Sequence, residues 1–264
     1  MCFSQEMSAS FAAFGVLLGI WTWTQTRNKS LLAGILYFVT METLQAFQYI
    51  WIDQCDLYIN KVLTVFGFLH ICFQPYFTHV LTGAFSKGTK LEPIFKVIRK
   101  MAVIQGIWMF ARFVLAMRDE QTLASALLSD ECPNTEWLRA HSGPQALCTF
   151  KGNAHLAWSL PLTAPTYWMP SNFIHFFMMF VPFFVTGVKS LWVQGALLCL
   201  GGPFLSTIVT DNLYEQASIW CFFSILQITL AVFVSKFALP HKVWARNKIA
   251  YLQSKKEAAL KKKD

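Results

Sequence analysis

The sequence predicts an all-α membrane protein, a polytopic bundle of seven transmembrane helices with its N-terminus outside and its C-terminus in the cytosol. Three observations predict this fold. The 264-residue chain is 55% hydrophobic but only 14% charged, whereas a soluble domain carries about 25% charged residues. Its apolar residues form seven blocks of about 20 residues, the length that crosses a bilayer as a helix. Its cations cluster between alternate blocks.

The predicted spans are long runs that are almost free of charge. They are residues 8–25, 31–52, 62–85, 101–117, 172–188, 190–210 and 217–235. The fourth and fifth runs are the shortest, and Arg112 lies inside the fourth. Together the runs predict a membrane domain over residues 1–240, which is followed by a basic cytosolic tail over residues 241–264.

The distribution of Lys and Arg predicts the orientation, because cationic loops stay on the cytosolic side. With the N-terminus outside, the cytosolic segments hold most of the 22 Lys and Arg residues, and the outer segments hold most of the carboxylates. The net charge of +8 is therefore a topological signal, and we expect no nucleic acid as a partner. Membrane lipids are the expected partners, since anionic headgroups attract a basic tail.

The ends of the sequence predict a location. No cationic segment precedes the first span, which predicts a retained anchor and not a cleaved signal peptide. Lys261 and Lys262 stand fourth and third from the last residue and resemble the dilysine retrieval signal of endoplasmic-reticulum membrane proteins. The sequence thus predicts an integral protein of the endoplasmic-reticulum membrane.

One long outer loop, residues 118–171, separates the fourth and fifth spans. From Gly152 to Pro170 it is rich in Trp and Pro. Proline disfavours a spanning helix, and Trp favours the headgroup zone, so we predict an interfacial or partly re-entrant lid over the outer mouth of the bundle. The cysteines predicted on the outer side, where a disulfide is permitted, are Cys55, Cys132 and Cys148. Three cannot all pair, and a bridge from Cys132 to Cys148 would close a short loop.

Ionisable groups inside a bilayer cost several kcal/mol unless they face a cavity or a partner. Glu42 is the only carboxylate within a predicted span, and His70 lies at about the same depth in the next span. We predict Glu42, His70 and Arg112 as catalytic groups. Two alternatives stay open: Glu42 and Arg112 form a structural ion pair, or His70 joins two helices through a hydrogen bond.

Neutral polar residues extend these positions at helical spacing. Gln45 and Tyr49 follow Glu42 on its helical face, and Gln74 follows His70 by one turn. Most of these residues lie at mid-depth or nearer the outer leaflet, which predicts a polar cavity open to the outer side and bounded by spans two, three, four, five and seven. The predicted ligand-binding residues are Gln45, Tyr49, Gln74, Trp108, Asn172 and Gln227.

Prolines inside the predicted spans each free a backbone carbonyl one turn earlier. Pro75 frees the carbonyl of Ile71, Pro182 frees that of Met178, and Pro203 interrupts the sixth span near its middle. In lipid a freed carbonyl needs a partner or water. Such kinked helices favour a bundle with an internal cavity.

The histidines suggest a metal site. A predicted ligand set for zinc or iron consists of Glu42, His70, His155 and His175. No two of them stand four residues apart, so this prediction depends on tertiary proximity. His79 falls on the opposite face of a straight helix from His70, and we expect it at the membrane interface unless the kink at Pro75 rotates it back.

Three segments resemble an uncharacterised family of seven-helix membrane proteins. They are METLQAFQY (residues 41–49), HICFQPYFTH (residues 70–79) and PSNFIHFF (residues 170–177). The resemblance covers most of the chain and implies the helical bundle, but it implies no activity.

Three functions remain open. The first, which we favour, is ligand chemistry in an outward-facing pocket, by a membrane enzyme that acts on a lipid or small amphiphile. In it Glu42 is general base or metal ligand, and the histidines are ligands or acid/base groups. The second is a receptor or transporter for a hydrophobic small molecule, with Glu42 as a counter-ion. The third is a noncatalytic subunit of a membrane complex.

Overall fold

The computed structural model describes residues 3–86, 89–118, 147–160, 165–238 and 253. Seven helices make up most of this part of the chain. They are α1 (Gln5–Thr26), α2 (Lys29–Gln48, continued by a 3-10 turn, Tyr49–Trp51), α3 (Tyr58–Phe85), α4 (Glu92–Arg118), α5 (Pro165–Val185), α6 (Lys189–Val209) and α7 (Leu213–Ala238). Between α4 and α5 lies an antiparallel hairpin of strands β1 (Cys148–Lys151) and β2 (Leu156–Ser159).

The first two helices begin at side-chain caps. Ser4 accepts a hydrogen bond from the N–H of Met7 at the start of α1. Asn28 accepts bonds from the N–H groups of Ser30 and Leu31 at the start of α2. Each cap satisfies donors that a helix start leaves without an internal partner. The turn between α1 and α2 consists of two residues, Arg27 and Asn28.

Each predicted span corresponds to one helix, and several helices are longer than predicted. α4 begins at Glu92, where an ion pair of 3.1 Å with Lys96 supports the first turn. α5 begins at Pro165 and contains Pro170, so the end of the predicted lid is helical instead. Proline suits a first helical position because the N–H there has no intrahelical acceptor.

Five of these helices are long and apolar enough to cross a membrane: α1, α2, α4, α6 and α7. α3 is not among them because its middle carries polar residues such as His70, Gln74 and His79. Of α5, the apolar segment found within the described residues is Phe173–Val185. Large apolar side chains such as Ile104 and Ile208 are more than half exposed on the outer faces of the helices. An apolar exterior of this extent is compatible with a membrane protein.

The two ends of the bundle carry opposite charge. At the hairpin end, the N–H of Phe3 donates to the carbonyl of Ala154, and the N–H of Asp53 donates to that of Thr149. The described carboxylates of that end are Glu6, Asp53, Asp56, Asp211 and Glu215, and they outnumber its lysines, Lys61 and Lys151. Successive helices alternate in direction, so the turns at the other end, which we call the basic end, carry Arg27, Lys29, Lys90 and Lys189.

Glycines allow neighbouring helices to approach closely, as is usual in membrane bundles. A Cβ atom on Gly106 of α4 would lie 2.7 Å from the carbonyl oxygen of Cys72 on α3. A Cβ atom on Gly195 of α6 would lie 2.7 Å from that of Phe183 on α5. Glycine at these two positions therefore lets α3 pack closely against α4, and α5 against α6 near the basic end.

A disulfide joins Cys55, in the α2–α3 loop, to Cys148 at the start of β1. The short bridge considered from the sequence, between Cys132 and Cys148, is therefore not formed, and Cys132 lies outside the described residues. The reason is tertiary: the hairpin folds back onto the α2–α3 loop, which brings together cysteines 93 residues apart. Sequence spacing alone favours a nearer cysteine.

We expect Cys55→Ser, Cys148→Ser and the double variant to lose the same amount of stability, because each removes the same bridge. Removal of a bridge that closes so long a loop should lower the free energy of unfolding by about 2–5 kcal/mol. Thermal unfolding of the detergent-solubilised protein measures the effect, with Cys132→Ser as the matched control. A double variant clearly less stable than both single variants would contradict the pairing.

Candidate functional site

A cavity of about 370 Å³ lies in the hairpin half of the bundle, between α3, α4, α5, α6 and α7. We call it the main cavity. Its polar lining residues are Gln74, His175, Ser206, Thr207 and Gln216, and its aromatic ones are Phe68, Phe173, Phe176 and Trp220. Sites for small molecules have volumes of about 300–1,000 Å³ and largely apolar walls. The main cavity therefore has the size and lining of a small-molecule site.

Three polar side chains of the main cavity are deeply buried, Gln74, His175 and Ser206, and the first two have atoms without a hydrogen-bond partner in the described chain. His175 on α5 is 4% exposed, and its ring packs edge-on against Trp220 with the centroids 5.9 Å apart. Within the described residues, neither ring nitrogen of His175 has a hydrogen-bond partner, and the Nε2 of Gln74 has none either. A buried polar atom left unbonded costs about 1–3 kcal/mol. A bound polar group would remove this cost.

The exposed part of the described cavity lining lies between α5 and α6. Near the basic end these helices are held together, since the Nε1 of Trp192 donates to the carbonyl of Phe184 over 2.8 Å. The contacts of α5 with α6 concentrate on that half. Toward the hairpin end, Phe173 and Phe176 on α5 and Thr207 on α6 line the cavity and are exposed. The opening therefore faces the apolar exterior.

A π-helical turn, Leu200–Phe204, forms part of the cavity wall on α6. In a π turn the N–H of residue 203 would donate to the carbonyl of residue 198, but Pro203 has no N–H. The Nε2 of Gln227 on α7 donates to the carbonyl of Leu198 instead, over 3.2 Å. The structure thus places Gln227, a predicted ligand-binding residue, as the partner of a freed carbonyl.

Pro182 has the same effect on α5. The carbonyl of Met178, which it frees, lies 2.8 Å from the Nε2 of His79. His79 is fully buried, so it faces the interior of the bundle and not the outer face that a straight helix would give it. A straight helical wheel places His79 on the outer face because it does not include the carbonyl of Met178, which needs a hydrogen-bond donor.

His70 joins α3 to α2. Its Nε2 donates to the carbonyl of Tyr37 over 2.8 Å, and the hydroxyl of Tyr37 donates back to the carbonyl of His70. The two rings stack with their centroids 4.0 Å apart. This arrangement corresponds to the interhelical hydrogen bond that the sequence left open as an alternative.

The predicted catalytic groups are not bonded to one another. Glu42 is fully buried, with Ser8 of α1 and Cys221 of α7 as its polar neighbours. Neither of its carboxyl oxygens has a hydrogen-bond partner in the described chain, so Glu42 binds neither His70 nor Arg112. The guanidinium of Arg112 lies over the ring of Trp108, 4.8 Å from its centroid.

Gln45 and Tyr49, two predicted ligand-binding residues, hold the hairpin of this same chain. The Nε2 of His155 donates to the Oε1 of Gln45 over 3.1 Å, and its Nδ1 lies 2.7 Å from the Tyr49 hydroxyl. The Nε2 of Gln45 in turn donates to the carbonyl of Ser218 over 3.1 Å. The polar residues that follow Glu42 on α2 therefore form hydrogen bonds with the hairpin turn that carries His155.

Further polar groups of α2 and α3 fix the two strands. The side chain of Asn60 donates to the carbonyl of Thr149 and accepts from its N–H, over 3.0 and 2.9 Å. The Nε1 of Trp158 donates to the Oε1 of Gln48 over 3.2 Å. Strand β2 is buried along its whole length. This part of the outer loop is thus inserted among the helices, which agrees with the partly re-entrant form of the predicted lid and not with an interfacial one.

Glu215, at the start of α7, clamps the turn of the hairpin. Its Oε1 accepts the N–H groups of Ala154 and His155, and its Oε2 accepts the hydroxyl of Thr210 over 2.7 Å. A Cβ atom on Gly152 would clash with this Oε1 and lie 2.6 Å from the carbonyl oxygen of His155, so the turn requires glycine there. Glu215 is not among the residues predicted from the sequence; its one sequence feature is a carboxylate directly before the seventh predicted span, which does not indicate its partner.

The predicted metal ligands are dispersed. In the described part of the chain, no group of three or more His, Cys, Asp or Glu side chains could hold a metal ion. His70 and His155 bind other groups, and of the four predicted ligands only His175 lines the main cavity. The side chain of Asn172, predicted to bind a ligand, lies outside the described residues.

The docking of the hairpin is expected to depend on pH through His155. Burial lowers the pKa of His155 from 6.5 to about 3. The unfolded chain thus binds a proton more readily than the folded chain does. The contribution of His155 to the stability of the folded protein is therefore complete above about pH 6.5 and declines as the pH falls toward 3. We expect unfolding at a lower temperature at pH 5 than at pH 7.5, measured by tryptophan fluorescence. His155→Gln should weaken this pH dependence, and an unchanged dependence would contradict the assignment.

Comparison with known proteins gives a family and no activity. A family model described as "Family of unknown function (DUF5765)" matches residues 6–239, which extends from the first turn of α1 to just beyond the end of α7. No curated protein and no solved structure matches the chain. The resemblance to an uncharacterised family is thereby confirmed. The chain belongs to the family of unknown function DUF5765.

Proposed function

We propose that this protein is a seven-span membrane protein that binds a lipid or small amphiphile in the main cavity, between α5 and α6. The observation that carries the proposal is His175: a buried imidazole, with both nitrogens unbonded in the described chain, lines a cavity that opens sideways. A ligand that enters from the bilayer would bring a polar group to His175 and leave its tail in the apolar exterior.

Binding, and not catalysis, is the function that the contacts support best. His70 is engaged with Tyr37, and Arg112 lies over Trp108. Glu42 does not line the main cavity, although its neighbour Cys221 does. An acid or base must come within hydrogen-bond reach of the reacting group. The enzyme, transporter and subunit alternatives stay predictions.

The ends of the bundle support an orientation with the hairpin end outside. Basic turns stay in the cytosol, which favours the basic end as the cytosolic one. The disulfide belongs in an oxidising compartment, and it joins segments of the hairpin end. An endoplasmic-reticulum membrane, as the sequence predicts, would turn this end toward the oxidising lumen.

The orientation can be tested by labelling single introduced cysteines with a membrane-impermeant maleimide in sealed microsomes, whose cytosolic face is outside. We expect Lys90→Cys at the basic end to react at once, because it is exposed to the medium. Asp211→Cys at the hairpin end should react only after detergent opens the vesicles. The reverse pattern would contradict the orientation.

The binding function can be tested by filling the main cavity. Ala217→Trp adds a large side chain to its wall, so we expect it to displace bound amphiphile. The measurement is photo-crosslinking in native membranes with a mixture of C16 diazirine probes, an alcohol, an acid and an amine, followed by peptide mapping to α5 and α6. Leu226→Trp is the matched control, because Leu226 lies on α7 with its side chain 47% exposed.

We expect labelling of the native protein and of Leu226→Trp, and a loss in Ala217→Trp. If no probe labels the peptides of α5 and α6, or if Ala217→Trp is labelled as strongly as its control, the proposed function fails.

A further inference from the structure

We infer that the main cavity selects amphiphiles whose head group is uncharged and carries a hydroxyl, such as a long-chain alcohol. This inference rests on the proposed function and names its ligand class. It depends on the charge of the lining, on the hydrogen-bonding capacity of His175, and on the shape of the opening.

The described lining of the main cavity contains no Asp, Glu, Lys or Arg. Charged side chains of the surrounding helices do not line it. Glu215 accepts the N–H groups of the hairpin turn, Arg112 lies over Trp108, and Glu42 is absent from the described lining although its neighbour Cys221 belongs to it. A carboxylate, phosphate or ammonium head group would lose water there without gaining a counter-charge, which is strongly unfavourable.

The unbonded groups match a hydroxyl. A neutral imidazole offers one N–H donor and one acceptor nitrogen, and a hydroxyl has one donor and two acceptor lone pairs. His175 can therefore either donate to or accept from an alcohol. Gln74, 1% exposed across the cavity on α3, adds a second donor through Nε2. An ammonium group, which only donates, would leave the Nε2 of Gln74 unsatisfied.

Gln74 also lines a second cavity of about 20 Å³, on the side toward the basic end. This volume suffices for a single water. Thr78, whose hydroxyl has no hydrogen-bond partner in the described chain, lines it too. A water there would occupy part of the hydrogen-bonding capacity of Gln74, so His175 is the residue on which selection depends.

The opening suits a single apolar tail. Phe173, which is 68% exposed, and Phe176 form its rim on α5, opposite Thr207 on α6. Both helices are held together near the basic end. A linear alkyl chain can leave between these exposed residues into the bilayer while the head group stays at His175.

The test is competition for crosslinking by the C16 diazirine alcohol, with hexadecanol, palmitate and hexadecylamine as unlabelled competitors at neutral pH. We expect hexadecanol to compete at about tenfold lower concentration than palmitate or hexadecylamine, or better, since one unmatched buried polar group costs about 1–3 kcal/mol. Equal or stronger competition by the acid or the amine would overturn the inference.

Variants of His175 give an independent measurement. His175→Leu removes both hydrogen-bonding atoms, so the affinity for the alcohol should fall about tenfold. His175→Gln keeps a donor and an acceptor and should retain most of it. Unfolding temperatures of both variants report whether the fold is preserved. If His175→Leu folds and binds hexadecanol as the native protein does, the inference is wrong.

The two failures are distinguishable. If labelling by the probes depends on Ala217 but the acid or the amine competes best, the ligand class is wrong and the proposed function stands. If none of the probes labels the cavity, the proposed function itself fails.

Discussion

The need of each buried polar group for an internal partner shapes this structure more than any other constraint. In an apolar environment no water is at hand to bond a freed carbonyl or an imidazole. The described part of the chain meets this need mostly with bonds between a side chain and the backbone. His79 bonds the carbonyl freed by Pro182, Gln227 bonds the one left by Pro203, and His70 exchanges two bonds with Tyr37.

These pairings separate structural polar residues from the candidate site. Gln45 and Tyr49 hold the hairpin through His155, and Asn60 binds the backbone of Thr149. The ring of His175, like the carboxylate of Glu42, has no hydrogen-bond partner in the described chain, and of these two buried groups His175 is the one that lines the main cavity. A buried polar group that lines a cavity and lacks a hydrogen-bond partner is thus better evidence for a ligand than a buried polar group that is already bonded.

Much of the fold follows from sequence, since every predicted span corresponds to a helix and the cations lie where alternate turns require them. Of the candidate site, the sequence identified Gln74 and His175, because polar residues are rare in apolar runs. The partners of the other predicted residues depend on tertiary folding. Neither the return of the hairpin into the bundle nor its capture by Glu215 has a local sequence pattern. Helical spacing alone cannot show that Gln45 and Tyr49 are occupied by a loop over 100 residues away.

The clamp at Glu215 has a consequence for biogenesis. The residues that grip the hairpin from α2 and α3 are synthesised before it, but this carboxylate belongs to the last helix. During synthesis the hairpin can be cross-linked to Cys55 as soon as Cys148 emerges, whereas its turn is fixed only after α7 has been made. The disulfide would then keep the hairpin close to its final position until α7 has been synthesised.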